Sequence, residues 1–374
     1  MTEEVPKKKR RITLNKILFW LNLLLVLVTF LCYAGVTFSP GKMGYLTLFG
    51  LGYPLVLASN ILFILIWMFR RRRFVVFSLF AILVGVGYLM DFINFSFGVD
   101  AAEEGWKGLE VMTYNVNLFG LYAPENNEER RDEIFDVLKG ESPDILCFQE
   151  FFHSDQKGYF VTKDSLLKFL PTKYFHSRYT HAKNGRNYFG VALFSKYPII
   201  NKGFIPFESD VNNFCIYADI KYQGDTVRVY NAHLQSIRFK PEDYAFVDEN
   251  KNKEELDKGF KRIAWRLKKA FEKREEQVKK VVESVSKCKH PIIMCGDFND
   301  PPVSFTYGLM SKYLEDSFKA CGSGIGNTYN GVFPSFRIDY ILHSKEFRAD
   351  YYRSVNKKLS DHYPVVAGFT LLKP

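Results

Sequence analysis

Asp297 and Asn299 lie two residues apart in "GDFND", directly after the apolar run "PIIMC" and before Pro301 and Pro302. An apolar run of this length, closed by Gly and then Pro-Pro, predicts a buried strand ending in a sharp turn. Strand alternation would point both side chains to the same side. Other apolar runs also end in polar residues: Asn115 in "TYNV", Glu150 in "CFQE", His233 in "NAHL", Asp339 in "RIDY", and Asp361 with His362 in "SDHYP". Carboxylates and amides are hard oxygen donors of the kind Mg²⁺ takes, with Mn²⁺ as a substitute. One or two carboxylates suffice when water and substrate phosphate complete the shell. Two histidines, each able to pair with an acid, would supply proton transfer or charge stabilisation at a phosphate. Taken singly, most of these residues have an ordinary explanation, such as an Asx turn for "GDFND", a surface carboxylate for Glu150 or a rim histidine for His233. Asp339 is harder to dismiss, because a carboxylate inside an apolar strand needs a partner.

The elements that must position these residues alternate short apolar runs with polar helical stretches after residue 105. Strands are expected at 109–116, 144–150, 188–199, 214–220, 226–234, 291–296, 337–344 and 364–372. A helix carrying Glu128 to Asp132 separates the first two, and another is expected near 304–319. From about Asp248 to Lys289 the chain is strongly charged and helical, with Ala264, Leu267, Ala270 and Phe271 as its apolar stripe and the charges as its solvated face. The pattern is mixed α/β.

The order "TYNV", "QE", "HL", "GDFN", "RIDYI", "SDHYPV" over residues 113 to 366 resembles the endonuclease/exonuclease/phosphatase superfamily, which includes DNase I, AP endonucleases, inositol polyphosphate 5-phosphatases and bacterial neutral sphingomyelinases. The resemblance implies a four-layer α/β/β/α sandwich with its site where two sheets converge. It implies Glu150 as the principal Mg²⁺ ligand, with Asn115 and Asp361 near the metal or its waters. Asp297 would orient or deprotonate the attacking water, and Asn299 would hold it and the phosphate. His362, held by Asp339, would stabilise charge on the scissile phosphate, and His233 would support it. A metal and preorganised donors suit such a displacement, because charge on the phosphoryl oxygens must be stabilised as the leaving oxygen departs. The superfamily's substrates range from nucleic acids to lipids, so the motifs imply a reaction type and leave the substrate open. Arg186 and Asn187, in the loop "HAKNGRNYFG" with His181 and Lys183, are candidate substrate contacts. "GSGIG" lacks the Lys and Ser/Thr of a phosphate-binding P-loop.

The first hundred residues are of another kind. Apolar runs at 17–38, 45–69 and 74–90 span 22, 25 and 17 residues, which predicts a membrane anchor of three transmembrane helices over 1–100 and a catalytic domain over 105–374. The first run exceeds a signal-peptide core and has no small-residue cleavage site. The chain's net charge of +10 divides into +7 for residues 1–100 and +3 for the rest, so the excess belongs to topology and gives little support for a nucleic-acid footprint. Lys7 to Arg11 and Arg70 to Arg73 flank the spans, and the positive-inside rule puts both in the cytoplasm. The expected protein is therefore multi-pass in the inner membrane, its catalytic domain extracytoplasmic and facing lipid or another phosphoester. Were the third run only interfacial, the domain would be cytoplasmic and a tethered nuclease would return. A non-catalytic binding module on the same fold is the alternative of another class. The six Cys form no CxxC pair, which argues against structural zinc and mildly against an oxidising compartment.

Overall fold

The computed structural model describes residues 14–123, 126–183, 185–208, 212–239, 242–243, 253–331 and 336–372. The basic run at 7–11 and the side chains of His181 and Lys183 fall outside them. The chain starts with α1 (Leu14–Thr37), the short α2 (Pro40–Met43) and α3 (Leu48–Leu51), α4 (Tyr53–Arg70), α5 (Val75–Val84) and α6 (Val86–Phe92). α1 and α4 are long and apolar enough to cross a membrane, and 72–92 forms a third candidate bent by 67°. The second apolar run is thus not one span: residues 45–52 form α3 and its flanking turns, and α4 begins at Tyr53 with Pro54 in its first turn. The bend in the third falls at Gly85, where a Cβ would lie 2.0 Å from the Tyr33 ring. The Tyr33 hydroxyl donates to the Ala81 carbonyl at 3.0 Å, and the Gly85 N–H turns back to Ile82 instead.

The helices are tied to one another by polar groups in their interior. Asn22 of α1 donates to Ser78 of α5 at 2.7 Å and accepts from Trp67 of α4 at 3.0 Å, while Asn60 of α4 donates to Thr29 of α1 at 2.8 Å. Arg70 Nε donates to Asn15 at 2.8 Å, which sets the Arg70–Arg73 turn beside the start of α1.

Among the described residues, twelve strands form two six-stranded sheets: β1 (Leu109–Asn115), β2 (Ile145–Ser154), β3 (Tyr174–Lys183), β4 (Asn187–Ser195), β5 (Ile199–Pro206), β6 (Phe214–Tyr222), β7 (Asp225–His233), β8 (Ile292–Asp297), β9 (Glu315–Asp316), β10 (Asp339–His343), β11 (Phe347–Ser354) and β12 (Val365–Leu371). Their orders are β11-β12-β1-β2-β4-β3 and β5-β6-β7-β8-β10-β9. The outer layers are α7 (Asn127–Glu141) and α8 (Thr162–Phe169) on the first sheet, and α9 (Lys253–Lys287) and α10 (Phe305–Met310) on the second, while α11 (Ser317–Cys321) packs at the edge against β11 of the first sheet and β10 of the second. This is the α/β/β/α sandwich. β1 shows why its strands read as unbroken apolar runs: Leu109 and Val111 join Ile216, Val229 and Met294 of the facing sheet, while Met112 and Tyr114 pack under Ile134 and Leu138 of α7.

Some boundaries differ from the sequence reading. The run at 188–199 is two strands in different sheets, because Ser195 Oγ accepts from the Tyr197 N–H and Pro198 ends the pairing. β3, β11 and β5 beyond Ile199 were not expected from the sequence, because they are edge strands that carry charged and polar residues. The helix expected near 304–319 is two, each N-capped by its own side chain, Ser304 and Asp316.

The helical region and the sandwich share a surface. Ser39 Oγ and the Gly41 N–H donate to the Glu275 carboxylate of α9 at 2.5 and 2.6 Å. Arg337 donates to the Asp91 carbonyl at 2.7 Å and pairs with Asp316 at 2.5 Å, and Asn94 Nδ2 donates to the Phe318 carbonyl at 2.8 Å.

Candidate active site

Sheet register brings the site together. Parallel pairing sets Asn115 beside Gln149 and His233 beside Asp297, and antiparallel pairing sets Asp339 opposite Asp297. Gly296, just before Asp297, allows the close approach of β7, since a Cβ there would meet the Ala232 carbonyl oxygen at 2.0 Å.

Asp297 is buried and accepts from Asn115 Nδ2 at 3.0 Å. His362 Nδ1 lies 2.8 Å from Asp339, and its Nε2 lies 3.8 Å from Asp297. The His233 Nε2 lies 3.8 Å from Asp297 and 4.0 Å from Glu150, without a hydrogen-bond partner among the described residues. Burial pushes the Asp297 carboxyl up to about 6, with the His362 charge opposing and the Asp339 charge adding. Burial works against a charged His362, but Asp339 and Asp297 outweigh it and push the ring up to about 10. His233 is held low, first by burial. The site therefore sets an imidazolium and a neutral imidazole around one carboxylate of near-neutral pKa.

Two residues sit differently from the strand-end reading. Asn299 lies beyond β8 with φ +53°, so alternation does not set its direction. Its Nδ2 donates to the Leu234 carbonyl at 3.0 Å, and its N–H to Asp297 at 2.8 Å. Glu150 does not end β2 but sits within it, at a bulge where Gln149 and Glu150 lie between the pairs Phe148–Ala192 and Phe151–Gly190. Its φ is +48°, and the kink delivers its carboxylate to the cavity. Asp361 accepts from Asn117 Nδ2 at 3.1 Å.

Several residues hold this arrangement that sequence reasoning did not single out. Asn231 is wholly buried between the sheets, donates to the Phe148 and Ala192 carbonyls that flank the bulge, and accepts from Gln149 at 2.6 Å. Its only signal was an amide inside the apolar run of β7. Arg274 corrects the picture of α9 as a helix with only solvated charges: it is fully buried, donates to the Gln235 and Asn299 carbonyls at 3.0 and 2.5 Å, and lies 3.2 Å from Asp300. Arg186 is exposed and Asn187 accepts from Ser154 at 2.7 Å, and neither lines the cavity.

The cavity holds about 570 Å³ and is lined by Asn115, Glu150, Asp297, Asn299, Asp361 and His362 on its catalytic side. Partial burial, and next the charge of Asp361, raise the Glu150 carboxyl. Two hard oxygen donors that repel one another across a cavity fit a divalent cation, which would relieve the repulsion. Asp297, Asp339 and His362 also approach within 4.8 Å of one another, close enough for a metal. His362, however, already spends Nδ1 on Asp339.

A mixed α/β sandwich that gathers acids, amides and two histidines at its strand ends holds the donors that phosphoester hydrolysis needs. Residues 112–362 match the Endonuclease/Exonuclease/phosphatase family, and the chain belongs to that family of metal-dependent phosphoester hydrolases. Residues 15–92 match a domain of unknown function, DUF8431. Among solved structures, the chain is similar to a family protein from Bacteroides thetaiotaomicron (18% identity, TM-score 0.52, 72% of this chain and 99% of that one). It is also similar to one from Leptotrichia buccalis C-1013-b (18%, TM-score 0.51, 70% and 100%) and to the human Nocturnin catalytic domain (21%, TM-score 0.50, 71% and 93%). These likenesses concern the fold. No curated protein matches the chain.

Proposed function

We propose that the protein is a membrane-anchored, Mg²⁺-dependent phosphodiesterase that cleaves its substrate by in-line attack of water. The observation that carries this reading is the juxtaposition of Asp297 with the Asp339–His362 pair, in a cavity that Glu150, Asn115 and Asp361 line from the other sheet. Asp297 takes the proton of the water as its oxygen bonds to phosphorus, while the bond to the leaving oxygen breaks. The His362 imidazolium faces the phosphoryl oxygens and stabilises their charge, and Asp339 keeps the ring charged and fixed. Asn299, itself held by Leu234 and Arg274, orients water and phosphate. Glu150, Asp361 and Asn115 would hold Mg²⁺ or Mn²⁺, and the bound ion would supply Lewis-acid stabilisation of the phosphate.

α1, α4 and the bent third segment are the anchor. Three passes would put the Arg70–Arg73 turn at one end and the sandwich at the other, and the positive-inside rule then supports an extracytoplasmic catalytic domain in the inner membrane. The test is hydrolysis of bis-p-nitrophenyl phosphate by the full chain in neutral detergent. Mg²⁺-dependent release of nitrophenolate, abolished by EDTA and restored by excess Mg²⁺, is expected. Activity indifferent to EDTA would overturn the metal assignment.

A further inference from the structure

Past its catalytic side, the cavity changes character. Ile237, Phe239, Ile263, Leu267, Pro301 and Ile338 make its walls predominantly apolar. Leu51 and Gly52 also line it, and they belong to the helical region: α4, one of the two long membrane-type helices, starts at the next residue, Tyr53. The catalytic cavity thus reaches the residue before a candidate membrane span. Ile263 and Leu267 stand on one face of α9 with Phe260 and Leu256, at spacings of three and four residues. Beyond the cavity this stripe comes to the surface, where Phe260 is 68% and Leu256 46% exposed. An amphipathic helix thus carries an apolar track from the reacting centre to the protein's surface.

Resting on the hydrolase reading, we infer that the substrate is an amphiphilic phosphodiester of the phospholipid kind. Its phosphate lies among Glu150, Asp297 and His362, and one hydrocarbon chain lies along the track of Leu51, Ile263 and Leu267. Water adds to phosphorus and the ester bond to the leaving oxygen breaks, giving one alcohol and one phosphomonoester, so no co-reactant is needed. A nucleic acid is the competing occupant, because Phe239, Tyr329 and Phe336 could stack bases. The balance favours the amphiphile. Arg238 is the one Lys or Arg among the described lining residues, the charged His362 being engaged at the catalytic side, and a polynucleotide would meet aliphatic walls where it needs a basic groove.

The experiment uses the full chain in neutral detergent with Mg²⁺ and a series of p-nitrophenyl alkyl phosphodiesters, from methyl to dodecyl. kcat/KM is expected to rise with chain length by up to roughly fourfold per buried methylene and then to level off, from the transfer free energy of a CH₂ group. The decisive readout is the dodecyl-to-methyl ratio, which cancels any loss of folded enzyme. Ile263→Asn with Leu267→Asn should collapse that ratio at least tenfold, whereas Leu267→Met should keep it. A ratio near one in the unaltered protein, or one untouched by the double substitution, would overturn the groove and leave the hydrolase intact. So would plasmid DNA cleaved in preference to the dodecyl ester. Failure to hydrolyse any ester in the series would remove the hydrolase reading and this inference together.

Discussion

In α1 and α4, Trp20, Leu55 and Phe69 are 69%, 77% and 88% exposed, while Asn22 and Asn60 are wholly buried. The sandwich is built the other way round, with Val111, Ile145 and Met294 sealed inside and the charges of α7 and much of α9 outside. One chain therefore holds two regions folded against different surroundings. In the first, polar side chains join helices whose apolar faces point outward, an arrangement that would suit lipid, where apolar surfaces gain nothing by meeting each other. In the second, apolar burial drives assembly, and each buried polar group must be matched. Several of the polar groups buried in the sandwich, Asn231 and Arg274 among them, shape the site.

The contrast can be broken in several places. The largest effect belongs to Asp297→Ala, expected to lower kcat by about 10³ or more, because the base and the orientation of its water are lost together. Nitrophenolate release within tenfold of the unaltered protein would remove Asp297 from the mechanism. Arg274→Met should come next. It leaves Asp300 unpaired and two carbonyls without their donor, and is expected to cost roughly 3–5 kcal/mol in chemical denaturation of the full chain. A loss below about 1 kcal/mol would mean that this charge reaches water after all.

A smaller effect concerns pH. The Asp297 carboxyl is raised to about 6 and must be ionised to take a proton, so kcat/KM should be full above that pH and fall about tenfold per unit below it. His362, held near 10, remains charged across the same range and adds no limb there. A flat profile from pH 7 to pH 5 would exclude Asp297 as the base. The smallest effect is expected in the helical region: Asn22→Leu removes two interhelical hydrogen bonds, each worth about 0.6 kcal/mol on average, and should cost only about 1.2 kcal/mol when the chain sits in a bilayer. A cost as large as that of Arg274→Met would show the helices to be an ordinary water-soluble bundle.

Much of this was legible in the sequence, for a physical reason. Strands buried on both faces write themselves as unbroken apolar runs, so the polar residues at 115, 233, 297 and 339 stood out against them. Glu150 was recognisable by type but not by place, because a bulge leaves no mark in an apolar pattern. The direction of Asn299 depends on a single left-handed φ and on a carbonyl 65 residues away, which spacing does not encode. Arg274 was hidden by its company, since one buried charge looks like its neighbours on a charged helix. β3 and β11 escaped for the opposite reason, as edges that carry charge against unwanted pairing.

The bonds from Arg337 to the Asp91 carbonyl and from Ser39 and Gly41 to Glu275 have one more consequence. They dock the sandwich directly on its helices, without the slack of a flexible tether. With the helices in a bilayer, the cavity mouth is carried at one height and one tilt. The enzyme would then search a plane, and its turnover would follow the number of substrate molecules per unit area of membrane, whatever the volume of the surrounding compartment.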